Sequence, residues 1–524
     1  MPIAWSVALA LALCAVYALL APHATADEDA AEFTLALATG GVPHPTGYPL
    51  FALLGHAFMA LLRAAGMNYA YAANLWPAVG AGLALIFLHR LALRLLPRST
   101  PLGRVSRGVV AAIPVLALAF NPQWITESTI IEVHSWHVAW VCGAALLFVR
   151  TVEDLADAGR PFARAPRMLA WGLVCGAGGA HHTTAILYAT VFTAALTWAL
   201  VRARRFTAVV PLLWLVAGLV PMLSYAWIYW RAAHPGTASI WPTLEPTLRG
   251  LYDHVSGALY RGFLGRWHPD PAQSEALARD VYPLLWPALL LSGAWFAMAR
   301  TFADRIARGA IVAAALAQVA FNYQYGVPDP VAYFLPPLAL SLAVLAALGH
   351  AAAERARSVS AGTPVAAGVL AVLVALLVTR GAQAGFERRR EVEHYDGLIR
   401  SMWHAVPFER AIFLWPSDVY CKLKLYQVIE DDKPGIDVYN SVMLCNPYPA
   451  QQFRRRYGFD PLANNGPEHA AEAIDPKYIV GHHAAWDPRY IGRVNETIAD
   501  SAAVPVLLFD GDNMRLRQLN RRRA

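Results

Sequence analysis

Long apolar runs alternate with short polar stretches along most of this chain, and their spacing sets the first expectation. The predicted runs are 11–27 residues long, several of them short of the ~20 residues a helix needs to cross a hydrocarbon core of ~30 Å. Eleven spans are predicted: Ala4–Leu20, Ala70–Leu96, Val109–Phe120, Val138–Val149, Met168–Gly178, Thr184–Val201, Ala208–Trp230, Val281–Ala299, Ala310–Phe321, Val331–Leu348 and Val365–Thr379. The first lacks a charged n-region and a small-residue cleavage site, so it reads as a retained anchor. Phe51–Leu62 is apolar but brief, and is expected to lie on the membrane surface.

Arginines orient these spans. Five alternate connections, from Arg90–Arg107 to Arg355–Arg357, hold seventeen of them; the intervening set holds six. The positive-inside rule makes the rich set cytoplasmic. The N-terminus is then inside, and an odd number of spans puts everything from about Gly381 outside. The expected location is a membrane that the chain crosses many times.

Composition agrees with this reading. The chain has 524 residues, 57% hydrophobic and 15% charged, against about 45–50% and about 25% in soluble domains. A soluble enzyme, a disordered chain and a fibrous one are excluded. The net charge of +7 is anchoring charge on the cytoplasmic side, so no nucleic-acid partner is expected. Five cysteines exclude a disulfide scaffold and show no zinc spacing. Cys14, Cys142 and Cys175 fall in or near spans as packing residues, whereas Cys421 and Cys445 either pair or stay as buried thiols.

Two domains are predicted, residues 1–380 in the membrane and 381–524 outside it. The second carries 19 basic and 19 acidic residues, including all four lysines. Alternating segments at Ala411–Trp415, Ile436–Tyr439 and Val504–Phe509 read as strands between helices, giving an extracytoplasmic α/β domain.

Candidate chemistry gathers on the outer face. The first outer loop, about residues 23–68, opens with Asp27, Glu28, Asp29 and Glu32. A helix beginning near Asp29 would put Asp29 and Glu32 on one face. These carboxylates serve either as a general base toward a hydroxyl or as a capping-box-like helix start. Gly40–Pro49 follows, with three glycines and three prolines fixing a turn around His44 and Tyr48. It is either a substrate platform or a turn leading into the surface helix. Glu132 lies in an apolar run beside His134 and His137, where it pairs structurally or acts chemically. His181 and His182 interrupt an apolar hairpin, as metal or phosphate ligands or as hydrogen-bonded helix-end residues. The long outer loop carries Trp241, Arg249, Asp253, His254, Tyr260, Arg261 and Trp267. Its arginines suit a phosphate-linked headgroup, and the same pattern fits an interfacial helix anchored by aromatics. The last outer loop adds Asp329 and Tyr333 on the same face. The chain has no P-loop, Rossmann fingerprint or nucleophile elbow. Without a nucleotide site, group transfer on this face needs an activated lipid donor.

At these loops the sequence resembles bacterial protein O-mannosyltransferase-like membrane proteins of the GT-C superfamily. Asp29-Ala-Ala-Glu-Phe33 followed by Gly41-Val-Pro-His-Pro-Thr-Gly-Tyr-Pro-Leu50 is similar to the family's first-loop signature. Glu132-Val133, Gly179-Ala-His-His182, Asp253-His254-Val255 with Tyr260, and Val327-Pro-Asp-Pro-Val-Ala-Tyr-Phe-Leu-Pro336 continue the similarity in order. Ala30-Ala31 and Thr46 depart from it. The resemblance implies a GT-C fold and inverting transfer of a sugar from a polyprenyl-phosphate-linked donor to an acceptor hydroxyl, with an acidic base in the first loop. By position that base is Asp29, with Asp27 the alternative; Glu32 and His44 position the acceptor or shape the loop. Arg249, Arg261 and His181 or His182 are expected on the departing phosphate. The acceptor is a protein, a glycan or a lipid, and the C-terminal domain selects it. A divalent metal is left open, with no ligand cluster to assign to it. The rival readings are a transporter or flippase of a lipid-linked saccharide, and a non-catalytic partner in cell-envelope assembly.

Overall fold

The computed structural model describes residues 3–27, 29–96, 104–157, 164–265, 267, 269–327, 330–356, 362–465, 488–510 and 515–519. Every predicted apolar run falls on a helix. The first twelve helices are α1 (Ile3–Leu20), α2 (Asp29–Thr39), α3 (Pro49–Ala64), α4 (Tyr69–Leu95), α5 (Arg104–Ala119), α6 (Pro122–Thr129), α7 (His134–Ala156), α8 (Arg164–Gly179), α9 (Ala185–Arg202), α10 (Val209–Met222), α11 (Ser224–Ala233) and α12 (Leu248–Val255). Further on come Tyr282–Ala297, Phe302–Asn322, Leu335–Ala356 and the 43-residue helix Gly362–His404, which runs without a break across residue 380.

Among the described residues, five segments are long and apolar enough to cross a membrane: α1, α4, α9, Val209–Ala233 (α10 with α11) and Ala332–Gly349. A sixth forms if Arg107–Ala119 and α6, bent by 75°, are one span. The other predicted spans also lie on helices, Val365–Thr379 on the 43-residue one. Hydrophobic side chains face outward on these helices: Leu215 is 60%, Leu223 70% and Leu290 76% exposed. Such an outward belt suits lipid and would aggregate in water. The protein is a multi-pass, helical membrane protein.

Polar side chains fix several helix ends. Asn68 caps α4, accepting from the backbone N–H groups of Ala70 (2.7 Å) and Tyr71 (3.2 Å). Asn121 caps α6 by accepting from Trp124 N–H, with Pro122 at the first helical position. Trp124 Nε1 donates to the Tyr17 hydroxyl, which donates in turn to the Ala119 carbonyl. That buried chain ties α1 to the α5–α6 bend. Lower in the bundle, α8 lies backbone-close to α10: a Cβ on Gly176 would stand 2.1 Å from the Gly218 carbonyl oxygen. Small residues permit this approach, as is usual between membrane helices.

The C-terminal part holds a four-stranded sheet of β1 (Ala411–Leu414), β2 (Ile436–Tyr439), β3 (Val506–Asp510) and β4 (Arg515–Gln518), in the order β2-β1-β3-β4. β1 runs parallel to both β2 and β3, and β4 is antiparallel to β3. All three expected strands are present. β1 is buried along its length, as its unbroken apolar sequence demands. Cys421 and Cys445 are both free and buried, so the thiol reading holds over the disulfide; Cys445 Sγ donates to the Ser441 carbonyl.

This sheet does not stand apart from the membrane helices. Ala31 and Leu35 of α2 belong to the same apolar cluster as Trp403, Trp415, Tyr420 and Tyr426. A polar knot joins the same parts: Arg400 pairs with Glu430 through both guanidinium nitrogens (2.7 and 2.8 Å), while the Tyr69 hydroxyl donates to Glu430 (2.7 Å).

Candidate active site

The ends of several of these elements enclose a cavity of about 340 Å³. Many of the residues singled out in the sequence line it: Asp27, Asp29, His44, Tyr48, Glu132, His134, His182, Tyr260, Arg261 and Tyr333. Segments far apart in the chain therefore converge on one chamber.

Its floor is the first outer loop. Helix α2 begins at Asp29, so Asp29 and Glu32 share a face as expected, but the two carboxylates differ in state. Glu32 is buried and fully engaged: one oxygen accepts from the His44 backbone N–H (2.5 Å), the other from His44 Nδ1 (2.7 Å). It is not a helix cap; it pins the Pro-His-Pro turn. The Asp29 side chain is 44% exposed, and its distance to His44 Nδ1 is 3.9 Å. Burial pushes the Glu32 carboxyl up to about 7 against the pull of His44. Burial alone would lower His44, yet Glu32 and Asp29 outweigh it and raise the imidazole to about 9. His44 Nε2 lies 3.2 Å from the Tyr48 hydroxyl.

Glycine makes the turn possible. Gly47 has φ +81°, and a Cβ there would lie 2.5 Å from Ile228 Cδ1. At Gly41 a Cβ would lie 1.9 Å from the Ser239 carbonyl oxygen. That oxygen accepts from Val42 N–H (2.9 Å), and Trp241 N–H donates to the Val42 carbonyl (3.0 Å), docking the long outer loop on the first. Gly41→Ala must break this bridge. A destabilisation of about 1–3 kcal/mol is expected, the usual result of overpacking. Faster protease cleavage between residues 234 and 247 would report it, and an unchanged cleavage rate would refute it.

Asp27 has a counter-charge that the sequence did not reveal. Arg388, from the long helix, is 4.0 Å away and lines the same cavity. Asp418 is a second arrival from the C-terminal part; it is 3% exposed and accepts from Asn440 Nδ2 (2.9 Å). Glu127, Thr184 and Tyr325 complete the wall.

Four expected residues lie elsewhere. Arg249 is a correction: it sits on the exposed face of α12, and its Nε donates to Asp253 one turn on (2.7 Å). The i,i+4 spacing provides that partner locally, so the side chain never turns inward. Glu32 stands behind His44. His254 is buried against the turn, with Nε2 3.2 Å from where a Gly47 Cβ would be. His181 packs among Phe51 and His137 outside the cavity lining. Asp329, like Glu28, lies outside the described residues.

A cation fits this arrangement poorly. Asp29, Glu32 and His44 offer ligand atoms within 4.8 Å of one another, but both Glu32 oxygens and His44 Nδ1 are spent on each other. Loading a metal there would dismantle the turn.

Residues 29–206 match the family model for the N-terminal domain of the protein O-mannosyl-transferase TMEM260. No curated protein sequence matches the chain. Among solved structures it is similar to ArnT from Cupriavidus metallidurans bound to undecaprenyl phosphate, at 14% identity and TM-score 0.51, over 85% of this chain and 92% of that one. It is also similar to the Archaeoglobus fulgidus oligosaccharyltransferase tethered with an acceptor peptide, at 12% identity and TM-score 0.50, over 96% of this chain and 69% of that one. At these identities the likeness speaks for the fold, which is of GT-C type. The family match covers the segment that carries Asp29, Glu32, His44, Tyr48, Glu132, His181 and His182. Over that segment the chain is similar to a protein O-mannosyl-transferase, and its fold is similar to those of ArnT and the oligosaccharyltransferase.

Proposed function

We propose that this protein transfers a sugar from a polyprenyl-phosphate-linked donor to an acceptor hydroxyl at the outer face of a bacterial inner membrane, inverting the anomeric centre. One observation carries the reading: of the two carboxylates on the first turn of α2, Glu32 is consumed by His44 and Asp29 is left open to the cavity. Asp29 takes the proton of the acceptor hydroxyl. The acceptor oxygen then attacks the anomeric carbon from the face opposite the phosphate. The bond from that carbon to the phosphate oxygen breaks, and polyprenyl phosphate leaves with the electron pair. A departing anion needs fixed positive charge nearby. Arg261 supplies it, oriented by donating from Nη2 to Ser256 Oγ (2.8 Å). No step uses a metal. Arg388 and Asp418 bring the C-terminal part to the acceptor side, which supports its role in acceptor choice.

Family and fold point to the donor. The matched model is an O-mannosyl-transferase, and the ArnT structure holds undecaprenyl phosphate. The test is reconstitution in liposomes with labelled polyprenyl phosphate mannose outside. Release of polyprenyl phosphate with label on a hydroxylated acceptor is expected. Label that crosses the bilayer still attached to its lipid would instead establish the transporter reading.

A further inference from the structure

We propose that His182 presents a neutral Nε2–H to an oxygen of the lipid-linked donor. The proposal rests on the reading of the cavity as a sugar-transfer site. Hydrogen-bond logic assigns the proton. The backbone N–H of Thr184 approaches His182 Nδ1 at 3.3 Å, and an amide N–H can only donate. Nδ1 is therefore the lone-pair nitrogen, and the ring proton is on Nε2. Thr184 Oγ1 lies 2.8 Å from that same Nδ1 and 2.9 Å from His137 Nε2. Its single proton goes to Nδ1, so the hydroxyl accepts from His137 Nε2–H. Protons run in one direction, from His137 to Thr184 to His182.

Both ends of this relay are open. Among the described residues, His137 Nδ1 has no donor and His182 Nε2 has no acceptor. His182 is 2% exposed, and its ring lines the cavity beside Tyr48 and Tyr333, with centroids 5.8 Å from each. Burial holds the imidazole well below its ordinary pKa, so it remains uncharged. A buried donor without an acceptor is rare and costly in a folded protein. A substrate oxygen entering the cavity would relieve it, and a neutral N–H binds that oxygen without locking it in an ion pair. A non-bridging phosphate oxygen and a sugar hydroxyl share this acceptor chemistry.

The experiment compares wild type, His182→Phe, His182→Gln and Thr184→Val, purified at full length, for binding of polyprenyl phosphate and of polyprenyl phosphate mannose. A glutamine amide reproduces a donor at the Nε2 position; phenylalanine keeps the ring and loses the donor. His182→Phe is expected to weaken binding at least tenfold, His182→Gln less than threefold, and Thr184→Val to an intermediate degree. Loss with both ligands assigns the contact to phosphate, and loss with the mannosyl lipid alone assigns it to a sugar hydroxyl. Equal binding by wild type and His182→Phe, or equal loss in the Gln and Phe variants, overturns the proposal. Wild type that binds neither lipid overturns the sugar-transfer reading itself, and this proposal falls with it.

Discussion

Asp29→Asn is expected to lower sugar transfer by roughly 10²- to 10⁴-fold, the range over which a positioned general base acts, while donor binding stays within threefold. The substitution keeps the size and hydrogen-bonding reach of the side chain and removes only its capacity to take a proton. Little in the protein depends on that carboxylate structurally: it is half exposed, and its nearest cation is 3.9 Å away. Folding and membrane insertion should therefore be unaffected, and the loss should fall on kcat. Asp27→Asn is the matched control. Its charge is shared with Arg388, so a change below about tenfold is expected. Labelled-acceptor assays on both variants decide the matter. A large loss with Asp27→Asn and none with Asp29→Asn would move the base by two residues.

Glu32→Gln is expected to act through stability. Glu32 and His44 are both buried and charge-paired at 2.7 Å. Removing one partner of such a pair typically costs about 3–5 kcal/mol, because the other charge is left uncompensated. The first outer loop should loosen and transfer should fall with it. The pair also sets a pH signature. His44 has its folded pKa raised to about 9, against about 6.5 in an unfolded chain. The folded state therefore holds this proton more tightly, and its stabilising contribution is complete below pH ~6.5 and lost as pH rises through about 9. Thermal unfolding of the wild type should show a declining limb across that window, and Glu32→Gln should flatten it. A limb of equal slope in both proteins would exclude the pair as its source.

The helical membrane character and the helix start at Asp29 were legible in the sequence because each depends on local pattern. Apolar runs specify helices that lipid will accept, and Asp29 with Glu32 at a helix start needs only a three-residue spacing. The division of labour between those two carboxylates was not legible. It depends on a turn twelve residues later placing His44 over Glu32 rather than over Asp29. Arg249 misled for the opposite reason: an arginine in an aromatic outer loop looks like a phosphate ligand, but Asp253 one turn away captures it. Thr184 gives no signal at all, being a small polar residue at the mouth of an apolar hairpin. Arg388 and Asp418 reach the cavity through tertiary docking of the C-terminal part, which nothing in their neighbouring sequence encodes.

Helix α2 has two employers. One side carries Asp29 and Glu32 toward the cavity; Ala31 and Leu35 on the other are held by aromatic residues of the C-terminal part. That part consequently cannot be exchanged as an independent module. A graft that does not reproduce the seat for Ala31 and Leu35 would tilt the helix and move the base off its line of attack. Substitutions at Trp403, which does not line the cavity, would then behave in a genetic screen as if they lay in the active site.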